Sequence, residues 1–393
     1  MTLRTLDDLG DIAGSCVFVR VDLNVPMRDG EVSDDSRIVA TVPTLRELLR
    51  RGGRLVCASH LGRPKGEVRE ELRMTPVGER MAELLDREVV TVDSPAPDPG
   101  YLPSADIILL ENLRFDPGEE ADDITFAGRL AEIADVYVDD AFGAAHRRHA
   151  SVSALPELML ASGRPAVAGR LLEREVKILG RLLTDPAHPY VAILGGAKVS
   201  DKLSVIDALL ERVDAVLIGG AMAFTIIAAR GGRVGASLVE SDRYDDVRAS
   251  LAKAERLGVR VEVPTDVVVA TSMEASATTR IVLADEVPEG LMGLDIGPDT
   301  VAAFAEVIAG AKTVLWNGPM GVFEMAPFAA GTEGVATAVA DADVFSVVGG
   351  GDSLAAVKQA GLEDRFDHLS TGGGASLEFL EGHALPGITI LED

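Results

Sequence analysis

The segment AILGGAKVSDKL, Ala192–Leu203, decides the fold class of this chain. An apolar run, Tyr190–Leu194, meets a glycine pair, and a segment of helical spacing with two lysines follows. A short apolar run that ends in glycine and continues as a helix is typical of a βα unit in a parallel sheet. The pattern GxxxxGK[ST] is absent, so the segment is not a P-loop.

The same alternation of strand and helix extends along the chain on both sides of this segment. The candidate strands of the first half are Val17–Val25, Arg54–Ser59, Val89–Val92, Ile107–Leu110 and Val136–Asp139. Those of the second half are Tyr190–Leu194, Ala215–Ile218, Arg260–Val263, Thr313–Trp316 and Val344–Val348. Helical patterns between them include Ile38–Arg50, Val77–Leu85, Phe126–Ala134, Leu203–Glu211 and Tyr244–Leu257. The pattern predicts an α/β protein with parallel sheets covered by helices on both faces.

The length of 393 residues predicts two domains, because one hydrophobic core rarely serves so long a chain. The segment Ala166–Leu183 has apolar residues at helical spacing, and Thr184–Pro189 ends it. It separates the two groups of strands, so we expect one connecting helix there. The expected N-terminal domain is 1–167, the interdomain helix 168–184, and the C-terminal domain begins at 185.

Composition and charge exclude several classes of partner. The net charge of −26 argues against nucleic acid and anionic membranes. No uninterrupted apolar run reaches the length of a membrane helix, and Met1–Gly14 lacks the pattern of a secretory signal. We therefore expect a cytoplasmic protein.

The residues that follow the strands differ between the two halves. The first-half strands run into polar and cationic residues, among them His60, Arg63 and Arg114, whereas the second-half strands run into glycines. Ligands of open parallel sheets bind at the carboxyl ends of the strands. Cationic side chains suit a small polyanion, and bare backbone suits close approach of a nucleotide and its phosphates. Two lysines one helical turn apart, Lys198 and Lys202, are notable in a chain with seven lysines.

Two other functions fit parts of this pattern. A Rossmann-type dehydrogenase requires GxGxxG directly after a strand, and that is missing. A non-catalytic, hinge-bending binding protein for phosphorylated small molecules would explain two domains and a basic cleft. It would not explain two lysines, Asp352 and several glycine loops in the second half.

The motifs, taken in order, resemble the phosphoglycerate kinase family of bacteria over nearly the full length. They are RVDLNVP, DDSRI, HLGRP, LLENLRF, DAFGAAHR, GGAKVSDK, GASLVE, LDIGP, WNGPMGVFE, GGGDS and STGGGASLEFLEG. The resemblance implies two doubly wound, Rossmann-like α/β domains joined by a hinge helix. It also implies a C-terminal domain of 185–369 and a segment, 370–393, that returns to the N-terminal domain.

The resemblance implies the site residues position by position. The N-terminal domain would bind 3-phosphoglycerate through Asp22, Leu23, Asn24, Arg37, His60, Leu61, Gly62, Arg63, Arg114 and Arg147. The C-terminal domain would bind ATP or ADP through Gly195, Gly196, Lys202, Gly219, Gly220, Asn317, Gly321, Glu324, Gly350, Gly351, Asp352 and Ser353. The groups acting on the transferred phosphoryl would be Arg37, Lys198, Gly373 and Gly374, with Asp352 holding Mg²⁺. Two departures from the family pattern are Ala228, where many members have lysine, and Arg148, where alanine is common.

The implied reaction is reversible phosphoryl transfer between Mg-ATP and 3-phosphoglycerate, giving ADP and 1,3-bisphosphoglycerate. The acceptor carboxylate is already ionised near neutral pH, so neither a general base nor a covalent enzyme intermediate is needed. Catalysis would rest on alignment, charge stabilisation and domain closure that excludes water. The implied enzyme is a monomer whose partners are these small molecules.

Overall fold

The structure of the chain is a computed structural model that describes residues 2–393. It divides into two compact units. Unit 1 extends to Ile178 and also contains Ala384–Asp393, and unit 2 is Leu179–His383. The division therefore falls inside the connecting helix. Residues 370–383, which we expected in the returning segment, cluster with unit 2.

Unit 1 is built around a six-stranded sheet and a small hairpin. Its strands are β1 (Cys16–Val21), β2 (Met27–Arg28), β3 (Glu31–Val32), β4 (Arg54–Ala58), β5 (Val90–Thr91), β6 (Ile107–Leu109), β7 (Val136–Asp140) and β8 (Ala166–Ala168). Its helices are α1 (Ser36–Arg50), α2 (Thr75–Leu85), α3 (Pro117–Glu120), α4 (Ile124–Glu132), α5 (Ala154–Ala161) and the first part of α6 (Arg170–Thr184).

Unit 2 contains a second six-stranded sheet and a smaller antiparallel one. Its strands are β9 (Tyr190–Leu194), β10 (Ala215–Ile218), β11 (Arg233–Val234), β12 (Arg260–Glu262), β13 (Asp266–Ala270), β14 (Arg280–Leu283), β15 (Glu286–Val287), β16 (Met292–Ile296), β17 (Thr313–Asn317), β18 (Phe345–Gly349) and β19 (His368–Ser370). Its helices are α7 (Leu203–Leu209), α8 (Met222–Ala229), α9 (Tyr244–Leu257), α10 (Pro298–Ala309), α11 (Ala330–Asp341), α12 (Gly351–Gln359) and α13 (Gly374–Leu380). The last helix, α14 (Pro386–Thr389), belongs to unit 1.

The sheet of unit 1 is parallel throughout, in the order β5-β6-β4-β1-β7-β8. From β1 the chain first builds outward through β4 and later adds β7 on the other side. This reversal makes a crevice at the carboxyl ends of β1, β4 and β7, which is where such sheets bind ligands. Since Arg20 pairs with Ala58 and with Asp139, the segments that follow these three strands leave the sheet at one level.

The main sheet of unit 2 is also parallel, in the order β12-β10-β9-β17-β18-β19. Here the reversal lies between β9 and β17, where Leu194 pairs with Asn317. The glycine loops after β9, β10, β17 and β18 therefore gather at one edge. The two parallel sheets with helices confirm the predicted α/β class of two doubly wound domains.

The apolar strand runs form a separate core in each unit. In unit 1, alternate residues of β1, Val17, Val19 and Val21, pack with buried residues of α1 such as Leu45. In unit 2, Val314 and Trp316 of β17 are fully buried in the corresponding cluster. Each sheet is thus packed against its own helices. The ends of its strands are therefore fixed, and they position the residues that follow them.

The structure corrects the predicted helix at Ala166–Leu183. Ala166–Ala168 is the edge strand β8, whose Ala166 pairs with Tyr137, and the helix begins at Arg170. The buried Asp140 carboxylate fixes this start, because its Oδ1 accepts from the amides of Leu171 at 2.8 Å and Leu172 at 3.3 Å. The antiparallel sheet β14-β13-β16 and the short strand β19 were not predicted.

Candidate active site

The acidic residue that follows β1 pairs with the arginine at the start of α1. Asp22 is buried, and its Oδ2 accepts from Arg37 Nη1 at 2.9 Å. The Arg37 side chain is about one third exposed, so part of its guanidinium remains open to a ligand. Asp22 therefore holds the Arg37 cation at the start of α1. The helix dipole favours an anion at this position, so a bound anion would complete the group.

Asn24, Gly62 and Arg114 meet in one hydrogen-bonded arrangement. Asn24 Oδ1 accepts from the Gly62 amide at 2.9 Å, and the Gly62 carbonyl accepts from Arg114 Nη1 at 2.7 Å. Gly62 has a φ of +61°, and a Cβ there would lie 2.7 Å from a Leu72 methyl. The glycine conformation thus lets one residue, through its amide and its carbonyl, join the segments after β1, β4 and β6.

Arg114 is a buried cation with a donor left over. Its Nε lies 3.1 Å from Glu120 Oε1, but the geometry of this ion pair does not make a hydrogen bond. The buried Nε–H consequently has no hydrogen-bond partner among residues 2–393, although Glu120 lies beside it as an ion-pair partner. Burial lowers the pKa of Arg114 to about 10, and the positive charge of Arg147 acts in the same direction. A buried unpaired donor beside another cation is satisfied well by an anion.

His60 follows β4 and lies against Arg20 of β1. Arg20 Nη2 is 3.2 Å from His60 Nδ1, and both side chains are buried. Burial lowers the pKa of His60 well below its usual value, and Arg20, Arg114 and Arg147 add to this effect. His60 is therefore a neutral imidazole at pH 7. Arg20 does not pair with Asp22, which lies two residues further along the chain, since Asp22 pairs with Arg37.

The two remaining predicted arginines are less constrained. Arg63 is exposed and forms no ion pair with any residue from 2 to 393. Arg147 is half-buried, and its Nε lies 3.2 Å from His146 Nε2. Its charge acts on both His60 and Arg114, so it belongs to the same cluster.

Glycine is required at the strand ends of unit 2 because backbones touch there. A Cβ at Gly195 would lie 2.1 Å from the Pro319 carbonyl oxygen, and a Cβ at Gly220 would lie 2.5 Å from the Gly196 amide nitrogen. Gly220 also has a φ of +66°. The loops after β9, β10 and β17 are therefore interlocked, and their peptide groups face the edge without side chains.

Asn317 ends β17 and ties a lysine to this edge. The amide oxygen of the buried Asn317 accepts from Lys202 Nζ. Burial lowers the pKa of Lys202 below its usual value, whereas Asp201, Asp352 and Glu381 act to raise it. Ser353 Oγ accepts from the Gly318 amide at 2.6 Å. Ser353 thus joins two loops and does not cap α12, whose N-cap residue is Gly350.

Lys198 is exposed, and the turn that carries it is fixed by Glu240. The Glu240 carboxylate accepts from Ser200 N at 3.0 Å and from Ser200 Oγ at 2.6 Å. Burial acts to raise the pKa of Glu240, but hydrogen bonds from Ser200 and Val199 outweigh it, and the pKa lies below its usual value. Glu240 ends the motif GASLVE, for which the sequence analysis assigned no role.

The remaining predicted residues of unit 2 lie at loop and helix starts. Gly351 and Asp352 are exposed in the first turn of α12, and Gly373 precedes α13 with a φ of +55°. Gly219 and Gly321 lie against Met320 and Asp295, and a Cβ on either would collide with them. Glu324 is exposed.

Comparison with known proteins decides the family. The family model "Phosphoglycerate kinase" matches residues 6–383. The chain belongs to the phosphoglycerate kinase family. Phosphoglycerate kinases of Parafrankia sp. (strain EAN1pec) and Thermus thermophilus are each 52% identical to it, over 99% of this chain and 100% of theirs. The structure of the Coxiella burnetii phosphoglycerate kinase covers 99% of both chains, with a TM-score of 0.89 and 38% identity.

Membership of the phosphoglycerate kinase family makes the chain a phosphotransferase that uses ATP, as the sequence analysis expected. The binding-protein alternative is set aside, because the relatives named above are kinases. No helix within residues 2–393 has the length and apolar character needed to cross a bilayer.

Several residues that shape the candidate site were missed. Ser59 and Asn112 hold the backbone amides of Leu23 at 2.9 Å and Leu61 at 3.2 Å. Both leucine side chains are buried and both amides are taken within the protein, so these leucines support the segments after β1 and β4 and offer no free donor. Polar residues after β4 and β6 were the available signal. Two buried or half-buried carboxylates were missed as well: Glu119 accepts from Ser151, and Glu240 accepts from Ser200. Each partner lies more than 30 residues away, and no local pattern predicts such pairs.

Proposed function

We propose that the chain transfers a phosphoryl group between Mg-ATP and the carboxylate of 3-phosphoglycerate, with one ligand on each unit. The observation that carries the assignment of the acid to unit 1 is the buried Nε–H of Arg114, which has Glu120 as an ion-pair partner but makes no hydrogen bond within residues 2–393. The positive charges of Arg147 and Arg20 act on Arg114, in a chain of net charge −26. A small polyanion would complete this cluster.

The 3-phosphoglycerate site would use the ten residues named from the resemblance, arranged by role. Asp22 and Asn24 would accept or orient the hydroxyl side, and Arg63, Arg114 and Arg147 would bind the phosphate and carboxylate charges. His60 would act as a neutral donor. Arg37, whose guanidinium is only partly engaged by Asp22, would reach the group that is transferred.

The nucleotide site would lie at the interlocked glycine loops of unit 2. Gly195, Gly219 and Gly220 let the loops pack on one another, whereas the Cβ position of Gly196 is open space that permits close approach of the nucleoside. The amides before α12 and α13 suit phosphate oxygens. Lys202, held by Asn317, supplies a fixed charge, and Lys198 supplies a free one. The exposure of Lys198 supports a role in neutralising the transferred phosphoryl, together with the amides of Gly373 and Gly374.

The residues present fit a magnesium ion that arrives with the nucleotide. Asp352 is exposed, and its carboxylate forms no hydrogen bond or ion pair within residues 2–393. No group of three or more acidic, histidine or cysteine side chains that could hold a metal occurs in the same range. Mg²⁺ typically uses one or two protein carboxylates plus phosphate oxygens. Asp352 would be that ligand, and the bound ion would supply charge neutralisation of the phosphates.

In this scheme the residues of the chain position the two ligands and neutralise the charge of the phosphates, but they transfer no proton. The acid is ionised at pH 7, so its carboxylate oxygen can bond to the γ-phosphorus of ATP directly, while the bond from that phosphorus to the bridging oxygen breaks and ADP leaves. Direct transfer requires that the two ligands meet in line with water excluded. A monomeric state and a cytoplasmic location stay predictions, and size-exclusion chromatography with light scattering would test the first.

Titration calorimetry tests the assignment of ligands to units. Wild-type protein should bind 3-phosphoglycerate and Mg-ADP independently. Arg114→Ala should lose affinity for the acid alone, and Gly220→Ala for the nucleotide alone. Loss of both affinities in either folded variant would contradict a division of the ligands between the units.

A further inference from the structure

A chain of four buried polar side chains runs behind the basic cluster of unit 1. We call it the Glu119 relay: Glu119, Ser151, Arg20 and His60, which are 0–4% exposed. Of the four, only His60 was assigned to the substrate site from the resemblance. Buried charges remain in a fold only when their hydrogen bonds are satisfied, so the direction of each bond in the relay is constrained.

The carboxylate at one end accepts two hydrogen bonds from a single residue. Glu119 Oε1 accepts from Ser151 Oγ at 2.7 Å, and Oε2 accepts from Ser151 N at 3.0 Å. The serine hydroxyl has one proton, which this contact uses. Its lone pairs are then free to accept, and Arg20 Nε–H donates to them at 2.8 Å.

Arg20 is thereby fixed in orientation. Its Nη1 donates to the Val21 carbonyl at 2.5 Å, and its Nη2 is directed at His60 Nδ1, 3.2 Å away. A guanidinium only donates hydrogen bonds and stays charged in proteins. Nδ1 of His60 must therefore be the acceptor, which requires a neutral ring with its proton on Nε2.

Nε2 is the ring nitrogen left for a ligand. Nε2 has no hydrogen-bond partner among residues 2–393. It is also not completely buried, since it is not among the buried side-chain atoms that lack a partner. The other titratable and charged groups that act on the ring are Arg114, Arg147 and His149, besides Arg20. All three arginines oppose a positive ring, and burial lowers the pKa of His149 to about 3, so that it is neutral.

We propose that Glu119 is a positioning residue that acts through Ser151 and Arg20 to hold His60 as the neutral tautomer with its proton on Nε2. The ring then donates one hydrogen bond to an oxygen of the bound acid and adds no charge to a cluster that is already cationic. The step from tautomer to substrate rests on the proposed function. The tautomer itself does not, because the free protein contains the whole relay.

A glutamine cannot replace Glu119 without loss. Two donors, Ser151 N and Ser151 Oγ, converge on the two carboxylate oxygens, and an amide offers only one acceptor oxygen. If the hydroxyl turns to accept from the amide nitrogen instead, it competes with Arg20 Nε for the same lone pairs. Either arrangement disturbs the orientation of Arg20.

The test of the tautomer is long-range ¹H–¹⁵N correlation NMR of full-length protein with ¹⁵N-labelled histidine, without substrate. The chain has six histidines, and His60→Gln identifies the signals of His60. The expected spectrum from pH 5.5 to 8 shows a protonated Nε2 and an unprotonated Nδ1. A protonated Nδ1, or an imidazolium in this range, overturns the proposal whatever the enzyme's activity.

The test of the relay uses Glu119→Gln and Ser151→Ala, with Ser151→Thr as the variant that keeps the hydroxyl. We expect the first two to raise the KM for 3-phosphoglycerate about tenfold, the effect of one hydrogen bond, and to leave the KM for ATP within twofold. In both, the His60 Nδ1 signal should move toward a proton-bearing value or begin to titrate. Ser151→Thr should restore wild-type behaviour.

Tyr137→Phe is the matched control. The Tyr137 hydroxyl is buried and donates to the Ser151 carbonyl at 2.8 Å, but it lies outside the relay. Its removal should leave both the KM and the His60 signals unchanged. Wild-type His60 signals and KM values in folded Glu119→Gln or Ser151→Ala would overturn the relay. The predicted tautomer in a protein that does not turn over 3-phosphoglycerate would instead refute the proposed function alone.

Discussion

Replacement of Arg114 by alanine is expected to weaken 3-phosphoglycerate binding about 10- to 100-fold. Arg114 is 2% exposed, one guanidinium nitrogen is held by the Gly62 carbonyl, and Nε–H makes no hydrogen bond within residues 2–393. A hydrogen bond between charged groups contributes about 1.5–3 kcal/mol, and each 1.4 kcal/mol is a tenfold change in affinity. The upper part of this range applies if the ligand takes the free Nε–H.

The same substitution has a smaller effect on folding. The Gly62 carbonyl loses its donor, which costs about 1–2 kcal/mol, but the burial that lowers the pKa of Arg114 to about 10 shows that the charge itself is disfavoured there. The two effects oppose each other, so the melting temperature should fall by no more than about 4 °C. The variant should be folded under assay conditions.

Titration calorimetry with 3-phosphoglycerate and with Mg-ADP checks this prediction. Arg129→Ala is the control, since Arg129 is an exposed arginine of unit 1 that pairs with Asp116 at 2.5 Å and lies over the Phe126 ring. The control should bind both ligands as wild type does. If Arg114→Ala binds 3-phosphoglycerate within twofold of wild type, Arg114 is not part of the site and the reasoning is refuted.

Three further predictions concern unit 2. Lys198→Ala should lower kcat about 100-fold or more with little change in either KM, because an exposed cation that meets only the transferred group stabilises only the transition state. Steady-state kinetics that show an altered KM with kcat intact would make Lys198 a binding residue. Gly220→Ala should weaken Mg-ADP binding in calorimetry, because its Cβ would lie 2.5 Å from the Gly196 amide nitrogen at a φ of +66°, and unchanged affinity would contradict the interlocked loops. Burial raises the pKa of Asp295 to about 7, so the folded state holds a proton that the unfolded state releases near pH 4. The contribution of this bound proton to the free energy of unfolding is therefore lost as pH rises from about 4 to 7. In urea unfolding, the free energy of unfolding should fall by about 1.4 kcal/mol per pH unit over this range, and Asp295→Asn should remove that slope. The exposed Asp299→Asn is the control and should keep it. Identical slopes in wild type and both variants would show that Asp295 does not titrate in this range.

The parallel sheets were predictable because each central strand carries its own signal. A buried strand such as Tyr190–Leu194 is apolar along its whole length and ends in glycine, and its bounds were predicted without error. Strand β8 was taken for helix because three small residues precede a strong helical period without a break. Its strand pairing comes from β7, which is distant in sequence.

The antiparallel sheet of unit 2 gave a weaker signal. Strand β14 is exposed along most of Arg280–Leu283, so its residues lack the alternation that marks a half-buried strand. Strand β19 has only three residues and is held by pairing with β18. Both strands form because of tertiary contacts, and the local sequence pattern does not predict those contacts.

The candidate site divides in the same way. Residues in line with strand ends, such as Asp22 and Asn317, were predictable because a polar residue after an apolar run needs a partner. The pairing of Arg20 was not, since the sequence offered Asp22 nearby, and the structure gives it Ser151 and His60 instead. Side-chain partners across a sheet depend on which strands become neighbours.

The most direct test of the central claim is ADP production from Mg-ATP with and without 3-phosphoglycerate, with a downstream dehydrogenase to remove the acyl phosphate. Turnover should require both the acid and Mg²⁺, and it should fall sharply in Lys198→Ala. Folded protein that binds nucleotide but produces no ADP when 3-phosphoglycerate is added would contradict it.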